Sequence, residues 1–338
     1  MKRLPFAAAI LCVLLCFVNV RTLRADPLEE AVESYRNNSG LLCDRQAGEM
    51  FTRTLALDMI YQAQCGRREA YEKLEKFLLG AFRSPLGLVY HSLDKAFQPM
   101  GQESWLADNM TACRALAEGY GRWGGQERKA AELSIGRSVL KYLRHRGKFA
   151  QSVSWRDPIW GVHLIDRGAE APLFLLDVAV MDRLSRWDEA WKQQAQKSLG
   201  ELAAGCVVPW QDEKTPQNGR EYLLPLVYLT EMGFLPLRGL EEFRLRLREW
   251  PYALVEGAEP SVGIGALCAV LYCMAGSEQQ AGALLDAMTR RFSSGRVTSG
   301  LLAGAGQKPS LDDNLLFLIA RAQVQTRSRR GGNAASGQ

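Results

Sequence analysis

Apolar residues recur along this chain at the three-to-four-residue spacing of helices, and the period-two alternation of half-buried strands is scarce. The helical segments come in pairs, a strongly apolar one followed by an amphipathic, charged one. Ala47–Gln64 precedes Glu69–Phe82, Ala107–Trp123 precedes Gln126–Arg146, and Ala169–Leu184 precedes Trp187–Ala204. Gly219–Met232 then precedes Leu240–Trp250, and Pro260–Ala275 precedes Glu278–Phe292. Ser310–Val324 is a sixth apolar helix, whose partner would be the N-terminal Pro27–Tyr35. Glycines at 66, 124–125, 233 and 276 mark turns within pairs, while longer linkers with aromatics and prolines separate one pair from the next.

A helix that is apolar on most faces belongs inside, and an amphipathic one outside. Six such hairpins predict an all-α (α/α)6 toroid, with the N-terminal helix closing the ring. An open α-solenoid is the competing arrangement.

The 338 residues are 47% hydrophobic and 23% charged, an ordinary globular composition that excludes disorder and long coiled coil. The net charge of +5 invites a nucleic-acid reading. Its distribution removes that invitation. Lys2, Arg3, Arg21 and Arg24 lie in the first 25 residues, and Arg327, Arg329 and Arg330 in the last 14, both without an acid. The body between them carries slightly more acids than bases. Met1-Lys2-Arg3 followed by the apolar run Leu4–Val20 reads as a secretory signal cut after Ala25, placing the protein in the periplasm or outside the cell. Because Leu23 stands at the −3 position, an uncleaved membrane anchor is the alternative. No other segment is apolar and long enough to cross a bilayer, so no stable membrane insertion is expected after cleavage. The expected organisation is a signal over 1–25, a six-hairpin domain over 26–325 and a disordered tail over 326–338.

Six cysteines remain in the mature chain, at 43, 65, 113, 206, 268 and 273. Cys43 and Cys65 flank a helix-length segment, and Cys268 and Cys273 sit on one apolar helix, so buried free thiols are expected rather than a disulfide framework. There is no metal-ligand spacing, and His91, His145 and His163 stand apart in sequence; neither metal nor cofactor is expected. Nucleophile-elbow and phosphate-loop motifs are missing.

Acids open the predicted inner helices: Glu49, Asp108, Glu170, Glu221, Glu259 and the pair Asp312-Asp313. Two of these share a pattern, Leu106-Ala107-Asp108-Asn109 and Leu311-Asp312-Asp313-Asn314. Acids at helix N-termini also serve as caps. In a toroid, however, all inner helices start at one mouth, and convergent carboxylates there suit glycoside hydrolysis.

Laid out in this order, the chain resembles glycoside hydrolase family 8 over roughly Leu42–Ala320, the group of endoglucanases, chitosanases and the periplasmic cellulases of cellulose-secretion systems. Gly48-Glu49 and the downstream Arg83-Ser84-Pro85-Leu86-Gly87-Leu88-Val89-Tyr90 resemble the family's Ser-Glu-Gly helix and its "DGL" turn. Ala107-Asp108 with Ala112, Ala115 and Leu116 resembles its second acidic helix. Gly205-Cys206-Val207-Val208-Pro209-Trp210 resembles its "GL-x-P-D-W" loop, and Glu221–Leu226 stands at its "YDA-x-R-x-P" segment. The resemblance implies Glu49 as general acid and Asp108 against the sugar next to the scissile bond. In the fourth segment Arg220 falls where the family has Asp, and Leu223 where it has Arg. The base is therefore open between Glu221 and Asp313.

Linker aromatics Tyr90, Phe97, Trp105, Trp155, Trp160 and Trp210 are candidate sugar platforms or, equally, loop anchors in the core. Asn109, Tyr222 and Asp313 join them as candidate substrate contacts. The expected activity is hydrolysis of a β-linked polysaccharide, with inversion, in exopolysaccharide metabolism or within a secretion complex. The alternatives are a non-catalytic glycan-binding or assembly protein on the same fold, and an α-solenoid scaffold for protein partners.

Overall fold

The computed structural model describes residues 26–44, 47–156, 163–207, 219–234, 261–293, 300–303 and 308–335. The signal expected over 1–25, the helix expected over 240–250, Glu259, Trp160 and Trp210 lie outside the described residues. No helix among those described is long and apolar enough to cross a membrane.

The first hairpin shows how the pattern becomes structure. Helix α2 (Thr52–Cys65), preceded by the short α1 (Pro27–Glu33), is buried on nearly every face and stops at Gly66, which takes the left-handed conformation. Its partner α3 (Arg68–Leu79) buries only Tyr71, Leu74 and Leu78, one stripe at helical spacing, and turns its charges outward. The second hairpin is α4 (Leu106–Trp123) and α5 (Gln126–Ser138), the latter ending in a wide turn over Val139–Leu143. The two hairpins interlock at Gly119, where a Cβ would lie 2.2 Å from the Tyr71 hydroxyl. Helices α6 (Val178–Ser185) and α7 (Lys192–Val207) follow, then α8 (Gly219–Glu231), α9 (Val262–Met274), α10 (Glu278–Ser293) and α11 (Leu311–Ala335).

Each inner helix touches the next: α2 meets α4, α4 meets α6, α6 meets α8, α8 meets α9, α9 meets α11, and α11 returns to α2. The ring is closed, so the solenoid alternative does not describe this chain. Helix α1 packs on α11, and the Asp26 carboxylate that caps α1 also pairs with Arg321 of α11. The N-terminal helix therefore completes the sixth hairpin, as its sequence position suggested.

Three local features differ from the sequence reading. First, the connections carry small sheets: β1 (Met50–Phe51) pairs with β2 (Ser92–Leu93), β3 (Glu103–Trp105) with β6 (Ser152–Arg156), β6 with β7 (His163–Arg167), and β4 (Arg144–His145) with β5 (Lys148–Phe149). These strands are two to five residues long, and β1–β2 and β3–β6 join residues far apart in sequence, so they leave little periodic signal. Second, the third inner helix starts at Val178 and not Ala169, since Pro172 and a short 3-10 turn over Leu173–Leu175 intervene. Glu170 is consequently no helix cap; it is exposed and paired with Lys148 at 2.7 Å. Asp177 takes its place, accepting from the Val180 amide. Third, α11 runs through Gln325 to Ala335, so most of the expected tail continues the helix, with Arg327 donating to the Cys273 carbonyl at 2.8 Å. The free cysteines are buried at 113, 268 and 273, but Cys65 is exposed.

Candidate functional site

The N-terminal ends of α2, α4, α9 and α11 and the sheet β1–β2 meet at one mouth of the ring. Helix α4 brings Asp108 there, and the side chain is almost fully covered, at 4% exposure. What covers it is His91, whose Nδ1 stands 2.7 Å from Asp108 Oδ2. An ionised carboxylate only accepts, so Nδ1 carries the proton of this bond and Asp108 leaves Nε2 unengaged. Burial pushes the Asp108 carboxyl up and the bond to His91 draws it back. On the half-exposed His91, the hydrogen bond to Asp108 outweighs burial and holds the imidazole above its ordinary value.

The surrounding backbone explains why the imidazole sits there. The Thr52 amide donates to the His91 carbonyl at 3.0 Å, and the His91 amide donates to the Glu103 carbonyl at 3.3 Å. The segment is thus held between the start of α2 and β3. The ring lies between two aromatics, edge-on to Phe51 with centroids 5.5 Å apart and tilted against Trp105 at 5.2 Å. Trp105 is exposed at the rim.

Glu49 does not open α2; it immediately precedes β1, two residues before Phe51, and is partly exposed. Met50, between them, points into the core at 1% exposure. Phe51, on the other side of Met50, packs edge-on to His91, and Glu49 lies on the partly exposed stretch just before them.

Helix α11 contributes both its acids. Asp312 accepts from Thr54 Oγ1 at 2.7 Å and lies 3.6 Å from Arg53 Nε, and its charge acts on both His91 and Asp108. Asp313 accepts from Ser261 Oγ at 3.4 Å, at the start of α9. Of this pair the sequence reading names Asp313, as a substrate contact and one of two candidate bases; it is Asp312 whose charge reaches the Asp108–His91 pair. Glu221 and Tyr222 lie in the first turn of α8 and are placed by their backbone alone.

Asn109 is not a substrate contact. It is fully buried, accepts from the Val89 amide at 3.1 Å, and donates to Ser104 Oγ and the Trp105 carbonyl, both at 2.7 Å. Asn314 repeats the arrangement, accepting from the Leu302 amide at 2.9 Å and donating to the Leu302 and Ser310 carbonyls. The shared Leu-x-Asp-Asn pattern is therefore a latch that ties the preceding loop to the helix start. Trp155 is likewise a core residue, 2% exposed, with Tyr90 against it at 5.7 Å. Phe97 stacks on Phe77 of the outer helix α3 at 5.5 Å. Of the described candidate platforms, Trp105 is the exposed one, packed on one side against His91.

Below the mouth, a cavity of about 130 Å³ follows the ring axis from Arg53 and Ala107 down to Gln64 and Glu118, with mostly apolar walls. Midway, Arg114 of α4 is bound bidentately to Asp177 at 2.6 and 2.8 Å and to Glu231 of α8 at 2.8 Å, riveting three inner helices together.

No protein-family model matches the chain, and no curated protein matches its sequence. Solved structures do. An alpha-amylase from Clostridium perfringens superposes with a TM-score of 0.71 at 15% identity, covering 88% of this chain and 96% of that one. PssZ from Listeria monocytogenes gives 0.61 at 13% identity, over 87% and 94%. The endo-β-1,4-glucanase CMCax from Acetobacter xylinum gives 0.56 at 14% identity, over 88% and 98%. At such identities the likeness concerns architecture: this chain has the (α/α)6 six-hairpin fold found in family 8 glycoside hydrolases.

Proposed function

We propose that this protein hydrolyses glycosidic bonds of a polysaccharide at the N-terminal mouth of its ring, with Glu49 as general acid. The observation that supports the reading is convergence: Asp108 and Asp312 come from two separate helices to a mouth flanked by the exposed Trp105, with Glu49 just ahead of β1, on a fold shared with glycosidases. Trp105 offers an apolar face to a sugar ring. Glu49 protonates the leaving oxygen, and water attacks the anomeric carbon from the other face. An acceptor for the water proton belongs about 6.5–9.5 Å from the acid, as inversion requires. Asp312, Asp313 and the Asp108–His91 pair are the groups around the mouth, and Glu221 is a further candidate by the motif resemblance.

A β-linked glycan is the first expectation, from the motif resemblance, and the amylase likeness adds α-glucan to the substrates worth testing. Export follows from the apolar, basic start of the chain, and an exopolysaccharide or its secretion complex is the setting that export and this fold suggest together. The purified protein is to be offered β-glucans, xylan, chitosan, starch and bacterial exopolysaccharide while new reducing ends are counted. Cleavage of at least one, lost in Glu49→Gln, is the expected result; cleavage equal in both proteins overturns the Glu49 assignment.

Glycan binding without turnover is the second reading. It is favoured by Leu223, which stands in place of the family's arginine and is fully buried, so that position contributes no charge to the cleft.

A further inference from the structure

Asp108 is too covered to meet a sugar itself, at 4% exposure, whereas the His91 ring bonded to it is 33% exposed. We propose that the Asp108–His91 pair is the proton acceptor of the reaction, with His91 Nε2 taking the proton from the attacking water and Asp108 acting through it. This rests on the hydrolytic reading above.

The geometry supports it in three ways. The Asp108 contact fixes the proton on Nδ1, so in the neutral ring the Nε2 lone pair is the free one. The backbone bonds at Thr52 and Glu103 hold the residue, and Phe51 and Trp105 hold the ring plane, so the acceptor is positioned before substrate arrives. The charged groups that act on it are Asp108 on α4, Glu103 on β3 and Asp312 on α11, with Arg53 of α2 acting on Asp108; Phe51 of β1 packs on the ring, and Glu49 stands two residues before it. The step balances. The water O–H proton passes to Nε2 while its oxygen bonds to the anomeric carbon, the glycosidic bond breaks toward the leaving oxygen, and that oxygen takes the Glu49 proton. Afterwards His91 returns its proton to solvent and Glu49 regains one.

Sign follows from this role. The acceptor must be neutral, so activity is lost as pH falls through the His91 pKa. Because Asp108, Glu103 and Asp312 stabilise the imidazolium, that acid limb lies above the ordinary imidazole value of 6.5. A carboxylate acceptor would place it near 4 to 5, roughly the ordinary carboxylate range.

The test is the pH profile of kcat/KM on the cleaved glycan for wild type, His91→Asn and Asp108→Asn, with unfolding curves to confirm that the variants fold. The expected result is a wild-type acid limb above the ordinary imidazole value, a fall in kcat of at least about 100-fold in His91→Asn with KM little changed, and partial rescue of that variant by azide. The fall corresponds to the lower end of general-base contributions. A wild-type limb in the carboxylate range that survives in His91→Asn overturns the proposal while leaving the hydrolase reading intact. An alkaline limb removed by His91→Asn also overturns it, by making His91 the acid. If no glycan is cleaved by wild type, the hydrolase reading fails and this assignment with it.

Discussion

The twin asparagines allow a controlled perturbation of the site. Asn109→Ala removes the acceptor of the buried Val89 amide and the donor to Ser104 and Trp105, all next to the segment that carries His91. A buried polar group left unpaired costs about 1–3 kcal/mol, so the latch is worth roughly 2–3 kcal/mol. Asn314→Ala removes the matching set at Leu302 and Ser310, and its stability cost is expected to be the same size. At about 2–4 °C per kcal/mol, a figure for somewhat smaller domains, each variant melts roughly 5 °C lower. Function separates them. Loss of the Val89 anchor frees the Tyr90–His91 strand start and the Trp105 carbonyl, whereas the Leu302 loop carries none of the described groups around His91. Urea unfolding gives the stability of each variant, and initial rates on the cleaved glycan give activity. Equal destabilisation with at least a tenfold greater loss of kcat in Asn109→Ala is expected. If Asn109→Ala costs under about 0.5 kcal/mol, less than one ordinary net hydrogen bond, Asn109 is no latch. If both variants lose activity equally, the Asn109 latch has no special tie to the chemistry.

Two further outcomes follow from burial. Glu132 is fully buried against Arg183, and burial pushes its carboxyl up to about 7. A carboxyl raised from 4.5 to about 7 binds its proton more tightly in the folded state, so its contribution is full below pH 4.5 and fades as pH rises through 7. Glu132→Gln is therefore expected to abolish a pH-dependent loss of roughly 3 kcal/mol between about pH 4.5 and 8, read as the difference between wild-type and variant urea curves at the two pH values. An unchanged difference refutes it. Trp105→Ala and Trp155→Ala should part company: the exposed Trp105 loses glycan affinity at little stability cost, whereas the buried Trp155 loses about 3–5 kcal/mol. Calorimetric titration with oligosaccharide and thermal melts distinguish them, and a Trp105→Ala protein that binds as well as wild type removes the platform.

Much of the architecture was legible because it is written in periodicity. The all-round apolar run Val262–Cys273 and the Tyr71–Leu74–Leu78 stripe are local signals, and they separate inner from outer helices without any tertiary information. The repeated Asp-Asn pair was legible, but not the asparagine's role: a residue beside a catalytic candidate looks the same in sequence whether it faces a ligand or a loop. What escaped depends on contacts across loops. His91 and Asp108 are 17 positions apart and joined by a side-chain bond, and β1 finds β2 across some forty residues, so Glu49 moved from a helix start to a strand edge. Glu170 failed as a helix cap because Pro172 holds the chain extended and delays the helix to Asp177. Aromatic residues in linkers carried no label of burial, and Trp105 and Trp155 turned out opposite although they lie in neighbouring strands of one sheet.

Everything proposed for this protein turns on a sugar being cleaved at the mouth between Glu49 and His91, beside Trp105. A crystal structure of the Glu49→Gln variant with the longest oligosaccharide product of the cleaved glycan decides it. The expected complex has a sugar ring stacked on Trp105, its glycosidic oxygen at hydrogen-bond distance from the substituted side chain, and a water between the anomeric carbon and His91 Nε2. An oligosaccharide bound away from these three positions, or one whose anomeric carbon faces neither the substituted side chain nor His91, would contradict it.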